Sequence, residues 1–255
     1  MPLLKDYIKS QILKLEGTKV QEIQAKSNIL VQNYFKISKA DLHIKDIPLS
    51  AKDIINLDSM FAQLFQNKPV QYIIGETYFY NDKFLTPPGV FIPRPESELL
   101  VDCAVEFLSK SKDNLKIIDF CTGSGCILIS VLKKRLRCHG TGVDISKEAI
   151  KVAEINAKIQ HLLNRIKFYK SSVDNFFKGK YDLIVSNPPY IKKRDLKYLD
   201  IDVAKFEPKL ALDGGLDGLS AIRKVIKKSS ELIKKNGKFV LEIGFDQKNK
   251  VIKLL

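Results

Sequence analysis

Four consecutive residues, Asn187-Pro188-Pro189-Tyr190, carry the most specific chemistry in this chain of 255 residues. The side-chain oxygen of Asn187 and the carbonyl of Pro188 are two acceptors that can take both N–H bonds of one planar amide or exocyclic amine. Consecutive prolines lack N–H donors and fix φ, so the turn is stiff and its carbonyls are well aimed. An amide nitrogen is a poor nucleophile because its lone pair is delocalised into the carbonyl. Holding both of its hydrogens orients that nitrogen toward an electrophilic carbon and stabilises the positive charge developing in the in-line transition state. No strong base is needed beforehand, since the proton can leave after transfer. Tyr190 offers a face on which the planar group can pack. The blander alternative is that Asn-Pro-Pro only ends a strand.

A second constellation lies upstream, in Asp119-Phe120-Cys121-Thr122-Gly123-Ser124-Gly125. Glycines between a strand and a helix allow positive φ and close backbone approach, and the helix N-terminus offers free N–H groups. Asp144, about 20 residues further on, is spaced to accept hydrogen bonds from ribose hydroxyls. The loop lacks the full Gly-x-Gly-x-x-Gly spacing and the Gly-Lys-Ser/Thr of a phosphate loop. A pyrophosphate has no obvious cradle, so a nucleoside cofactor without phosphates is expected. S-adenosylmethionine fits, with its ribose on Asp144 and its methionyl part against the loop. A bare turn beside a solvated aspartate is the alternative.

The elements that must position these residues follow from periodicity. Candidate strands are Lys116–Phe120, Gly140–Ile145, Ile166–Ser171, Tyr181–Ser186 and Lys238–Ile243, with helices between them that include Lys147–Ala157 and Ser220–Ile233. Such alternation predicts a mostly parallel sheet covered on both faces, with ligands outside the carboxyl ends of its strands. Residues 1 to about 75 read as helices. One runs through Ile8, Ile12 and Leu15 to Gly17. Another presents Leu57, Met60, Phe61, Leu64 and Phe65 on one face, with a Ser50/Asp53 capping box and a stop at Asn67-Lys68-Pro69. Between the two regions, Thr77–Tyr80 and Phe84-Leu85 predict a hairpin turning at Asn81-Asp82, followed by prolines at 87, 88, 93 and 95.

Composition narrows the class. The N-terminus mixes lysines among its apolar residues and lacks the pattern of a signal peptide, which points to the cytoplasm. The four cysteines form no Cys-x-x-Cys pair, and the three histidines are scattered, so no metal centre is expected. The formal charge is +14, but only six of the 43 basic residues are arginine. Scarce arginine counts against readout of nucleic-acid bases.

The run Pro88-Gly89-Val90-Phe91-Ile92-Pro93-Arg94-Pro95-Glu96-Ser97-Glu98, taken with Asn187–Tyr190, resembles the protein-(glutamine-N5) methyltransferases called PrmC or HemK. That family modifies the glutamine of the Gly-Gly-Gln loop in bacterial peptide chain release factors. The resemblance covers nearly the whole chain. It implies an α/β fold, a Rossmann-like class I S-adenosylmethionine-dependent methyltransferase with a small N-terminal helical domain. The implied domains are 1–75, helical and a suspected release-factor contact, 76–95, a hairpin connector, and 96–255, the methyltransferase domain. By resemblance, Cys121, Thr122, Gly123, Ser124, Gly125 and Asp144 bind the cofactor, Ser172 lies near the adenine, and Asn187 is shared between cofactor and substrate. Asn187, Pro188, Pro189 and Tyr190 would hold the glutamine side chain. The implied partner is a release factor, with no requirement for nucleic acid, and no membrane is expected because no uninterrupted apolar stretch is long enough to span a bilayer.

The chain departs from the family pattern in three respects, the least of them Ser97 in place of the commoner threonine. Cys121 stands where the family usually has glycine, so the backbone there must tolerate a β-carbon. Methyltransferases of this fold also continue with two more strands after the fifth, so a domain shortened at its C-terminus, with the fifth strand as an open edge and lowered stability, is expected. Two other functions share parts of the pattern. A nucleic-acid amine methyltransferase would share Asn187–Tyr190 and suit the charge, and a non-catalytic cofactor-binding protein would keep only the first site.

Overall fold

The computed structural model describes residues 1–110 and 114–255, which divide into two compact units. The first comprises Met1–Gly75 together with Asp200–Phe206, and the second Glu76–Leu199 with Glu207–Leu255.

In the first unit, α1 (Leu4–Leu15), α2 (Ile23–Phe35), α3 (Lys39–Ile44), α4 (Ala51–Phe65) and α5 (Val70–Ile74) surround one apolar core. Leu57, Phe61 and Leu64 are buried as the three- and four-residue spacing requires, against Ile8, Leu15, Leu30 and Val31. The capping box at Ser50/Asp53 forms in both directions, and a second one forms at Ser38/Asp41. The short helix Ile201–Phe206 also belongs to this unit, with Lys26 bonded to Asp202 at 3.1 Å. No helix among the described residues is long and apolar enough to cross a membrane.

The second unit opens with a hairpin, β1 (Glu76–Phe79) and β2 (Asp82–Leu85). Its turn is Tyr80-Asn81 and not the expected Asn81-Asp82. The pairing of Phe79 with Asp82 leaves two residues at the tip, and both have positive φ, 51° and 67°. The rest alternates: α6 (Glu98–Ser109), β3 (Lys116–Phe120), α7 (Cys126–Lys134), β4 (His139–Asp144), α8 (Lys147–Ile159), β5 (Ile166–Lys170) and β6 (Tyr181–Ser186). Next come α9 (Ile201–Phe206, the helix counted with the first unit), α10 (Lys209–Leu212), α11 (Ser220–Leu232), β7 (Ile233–Leu241) and α12 (Lys248–Ile252).

The five long strands form one parallel sheet in the order β5-β4-β3-β6-β7, so β7 is an edge. Alternate residues of the central strands feed two cores. Ile117, Leu183 and Val185 pack with Leu100, Val101, Leu128 and Val131 on one face. Ile118, Phe120 and Ile184 pack with Val225 and Leu232 on the other. β7 begins five residues before the expected Lys238, because the pairing resumes on both sides of an irregularity: Tyr181 faces Ile233 and Leu183 faces Lys238. Asn236 inside that bulge has φ 65°.

Candidate active site

The carboxyl ends of the five strands carry, in sheet order, Ser171-Ser172 after β5, Asp144 ending β4, Asp119 to Cys121 at the end of β3, Asn187 after β6 and Glu242 after β7. Pairing of Phe120 with Ser186 puts the loop after β3 and the Asn-Pro-Pro-Tyr turn on adjoining strand ends. The register thus brings the two expected constellations together.

The loop Cys121–Gly125 is tightly coiled. Cys121, Gly123 and Gly125 all have positive φ, at 59°, 55° and 79°. Only Cys121 bears the steric cost of a β-carbon in that region, on the order of 1–2 kcal/mol. A Cβ built on Gly123 would meet nothing within 4 Å, so open space faces the loop there. Backbone bonds lock the coil, from Thr122 N–H to the Val143 carbonyl at 3.1 Å and from Gly125 N–H to the Thr122 carbonyl at 2.8 Å. Gly125 then caps α7. Ser124 is buried in the loop, and its carbonyl accepts from Asn156 Nδ2 at 2.9 Å.

Two carboxylates serve this loop differently. Asp144 accepts from Gly123 N–H through Oδ2 and from Ser146 N–H through Oδ1, each at 2.9 Å, which fixes the carboxylate at the end of β4. Burial pushes its pKa up, and the bonds from Ser146 and Gly123 pull it back. Asp119 is wholly buried beneath the loop, where its Oδ2 accepts the Thr122 hydroxyl at 2.7 Å. Its Oδ1 has no hydrogen-bond partner. Burial, with a smaller push from the charge of Asp144, raises its pKa to about 7. Ser172 follows Ser171, whose N–H donates to the Asp144 carbonyl at 2.9 Å, so it lies beside the same strand end.

The Asn-Pro-Pro-Tyr turn is held by residues far away in sequence. Asn187 Nδ2 donates to Ser97 Oγ at 2.8 Å, and Ser97 Oγ donates to Glu242 Oε2 at 2.6 Å. The Tyr190 hydroxyl makes a longer contact with Glu242 Oε1 at 3.4 Å. Burial raises the Glu242 pKa, offset in part by these donors, and burial followed by the charge of Glu242 raises that of Tyr190. Gln247 Nε2 donates to the carbonyls of Tyr190 and Gly218, at 3.0 and 3.1 Å. Gly218 has φ 77°, and a Cβ there would lie 2.5 Å from the Tyr190 carbonyl oxygen, so only glycine lets the two segments meet.

The proline-rich run 88–98 supplies Ser97, and it is anchored by Glu207. That carboxylate, almost wholly buried, pairs with the Arg94 guanidinium and accepts from Ile92 N–H at 3.2 Å. The Arg94 guanidinium lies 4.9 Å from the centre of the Phe91 ring. Asn156, buried on α8, ties Leu85 of the hairpin to Ser124 of the glycine loop through three bonds of 2.8 to 3.2 Å. Sequence reading missed Glu207, Asn156 and Glu242. Nothing local marks them, since each works on a partner at least 30 residues away.

Chemically, the site joins a fixed carboxylate, open space over a glycine loop and an amide acceptor on a rigid turn. Its three carboxyl groups, Asp119, Asp144 and Glu242, contrast with the +14 of the whole chain, and a cationic ligand would offset the burial that raises the pKa of each. Asp144 fits the ribose diol of S-adenosylmethionine, and a cation held over the loop would draw the buried Asp119 beneath it toward its ionised form.

Comparison with known proteins places the chain in a family. Residues 81–205 match the methyltransferase small domain and residues 7–75 the PrmC N-terminal domain. The chain is 36% identical over 220 residues to a release factor glutamine methyltransferase of Thermodesulfovibrio yellowstonii, covering 86% of this chain and 78% of that protein. It is 35% identical over 253 residues to a protein of the same name from Buchnera aphidicola subsp. Baizongia pistaciae, covering 97% and 88%. In three dimensions it is similar to a SAM-dependent methyltransferase from Agrobacterium tumefaciens, with a TM-score of 0.50 and 15% identity, over 70% of this chain and 56% of that one. That likeness is one of fold.

Proposed function

The chain belongs to the release factor glutamine methyltransferase family, and from that premise we propose that it methylates the side-chain amide nitrogen of a glutamine in a peptide chain release factor. The target is the glutamine of the Gly-Gly-Gln loop. S-adenosylmethionine, when bound, supplies an electrophilic methyl group on a sulfonium.

The observation that carries this reading is the adjacency of the Cys121–Gly125 loop and Asn187 on neighbouring strand ends. Asp144 and the loop hold the cofactor, with Ser172 beside the adenine. Asn187 Oδ1 and the Pro188 carbonyl accept the two hydrogens of the glutamine amide, and Tyr190 packs on its plane. Pro188 and Pro189 keep the turn from relaxing. Both acceptors stabilise the positive charge that grows on the nitrogen as its lone pair leaves the amide. The proton departs after transfer, so a poorly basic site suffices.

The helical unit contributes contact with the protein substrate away from the glutamine. Its match to the PrmC N-terminal domain supports this. Slower hydrogen exchange in residues 1–75 on adding release factor is the expected sign, and unchanged exchange there would remove the assignment. A nucleic-acid amine as acceptor is not favoured, since the relatives at 35–36% identity carry release factor glutamine in their names.

Labelled methyl transfer from S-adenosylmethionine tests the function, using purified release factor and a variant with its Gly-Gly-Gln glutamine replaced. Label on the normal factor alone supports it. Equal label on both would point to another acceptor.

A further inference from the structure

We propose that Ser97 and Glu242 are positioning residues that decide which end of the Asn187 amide faces the acceptor nitrogen. This rests on the reading of Asn187 as the acceptor of that nitrogen's hydrogens.

The orientation of the amide follows from a count of protons. A serine hydroxyl has one proton to give, and an ionised carboxylate can only accept. Ser97 gives its proton to Glu242 Oε2 at 2.6 Å. Toward Asn187, therefore, Ser97 presents only lone pairs. The amide must meet it with its NH2 end, as the 2.8 Å bond from Nδ2 to Ser97 Oγ requires. Oδ1 is thereby turned away from Ser97 as the acceptor end. The opposite amide rotamer would set two acceptors against each other at Ser97 and would offer donors to a substrate group that is itself a donor.

Burial makes the choice strict. Ser97 is 2% exposed, so water does not supply an alternative partner for its hydroxyl. Three segments must converge to build the chain of bonds: the proline-rich run through Ser97, the end of β6 through Asn187, and the end of β7 through Glu242. Each end is fixed independently. Glu242 N–H donates to the Ser186 carbonyl at 3.0 Å, next to Asn187, and Glu207 holds the run at Ile92 and Arg94. The second oxygen of Glu242 faces the Tyr190 hydroxyl, so the same carboxylate steadies both ends of the Asn-Pro-Pro-Tyr turn. A helper that merely packed against Asn187 would need neither a hydroxyl nor a carboxylate.

The test compares the full chain with Ser97→Ala, Ser97→Thr, Glu242→Gln and the Ser97→Ala/Glu242→Gln double variant, using release factor as acceptor. Ser97→Ala should lower kcat by roughly tenfold or more with cofactor Kd changed less than about twofold, and Ser97→Thr should restore most of the rate. Glu242→Gln frees the Ser97 proton to turn toward Asn187 Oδ1, and kcat should fall severalfold. Glu242→Gln keeps an acceptor oxygen for direct contacts such as that of the Tyr190 hydroxyl and loses only the lone pairs that take the Ser97 proton, so the double variant should be within about twofold of Ser97→Ala alone. A kcat for Ser97→Ala within about twofold of wild type, or losses that multiply in the double variant, would overturn the proposal.

A readout without substrate separates this proposal from the proposed function. In ¹H–¹⁵N spectra of the protein alone, the Asn187 side-chain NH2 should exchange slowly in wild type and Ser97→Thr and quickly in Ser97→Ala. If that pattern holds while wild type fails to methylate release factor, the glutamine reading falls and the positioning stands. Equal exchange in all variants would contradict the positioning itself.

Discussion

The backbone N–H of Gly123 donates to Asp144 Oδ2 at 2.9 Å, tying the glycine loop after β3 to the carboxylate that ends β4. One bond thus makes the shape of the loop and the direction of the carboxylate depend on each other. Asp144→Ala should weaken S-adenosylmethionine binding by about 10- to 100-fold, the worth of a charge-assisted hydrogen bond. Asp144→Asn should lose less, because it keeps one acceptor. Calorimetry checks both, and an unchanged Kd for Asp144→Ala would remove the residue from the site.

Asn187→Ala separates chemistry from cofactor binding. Its amide is held by Ser97, whereas the cofactor is proposed to lie on the Cys121–Gly125 loop. Methyl transfer should fall by about 100-fold or more, the usual cost of removing one transition-state hydrogen-bond partner. Cofactor affinity should change little. Parallel loss of both would mean that Asn187 shapes the cofactor pocket instead.

Asp119 makes stability depend on pH. Its pKa is raised from 3.8 to about 7 in the folded protein, so the fold holds that proton more tightly than the unfolded chain does. The stabilisation from this proton is complete below the unfolded value and is lost as pH rises through about 7. Asp119→Asn keeps an acceptor for the Thr122 hydroxyl and removes the titration. The variant should melt higher than wild type at pH 8, with a smaller difference at pH 5. Melting curves at the two pH values check this, and an equal difference at both would contradict it.

Cys121 sits at φ 59°, a conformation open to glycine at no steric cost. Cys121→Gly should therefore raise stability by up to about 1 kcal/mol, or roughly 2–4 °C in Tm for a chain of this size. Differential scanning calorimetry measures it. A fall in Tm would show that packing of the thiol outweighs the backbone cost.

The sheet was legible because its central strands are buried on both faces, so Ile117-Ile118 and Leu183-Ile184-Val185 stand out as short apolar runs. The two constellations were legible because each is contiguous and ends such a run. What supports them was not. Glu242 meets Ser97 across 145 residues, and Glu207 meets Ile92 across 115, and no local pattern encodes such pairings. The hairpin turn was displaced by one residue because Tyr80 adopts a positive φ that its side chain does not advertise. The start of β7 was missed because Lys-Lys-Asn-Gly reads as a turn, yet it continues the edge through a bulge. The six residues of Ile201–Phe206 are too few to show a helical face, so their place with the N-terminal helices could not be foreseen.

Whether the acceptor is the side-chain nitrogen of one glutamine is decided by tandem mass spectrometry of release factor treated with enzyme and deuteromethyl-labelled cofactor. The expected result is a single added methyl on the Gly-Gly-Gln glutamine side chain, absent when Asn187→Ala enzyme is used. Label on another residue, or on nucleic acid in place of the factor, would contradict it.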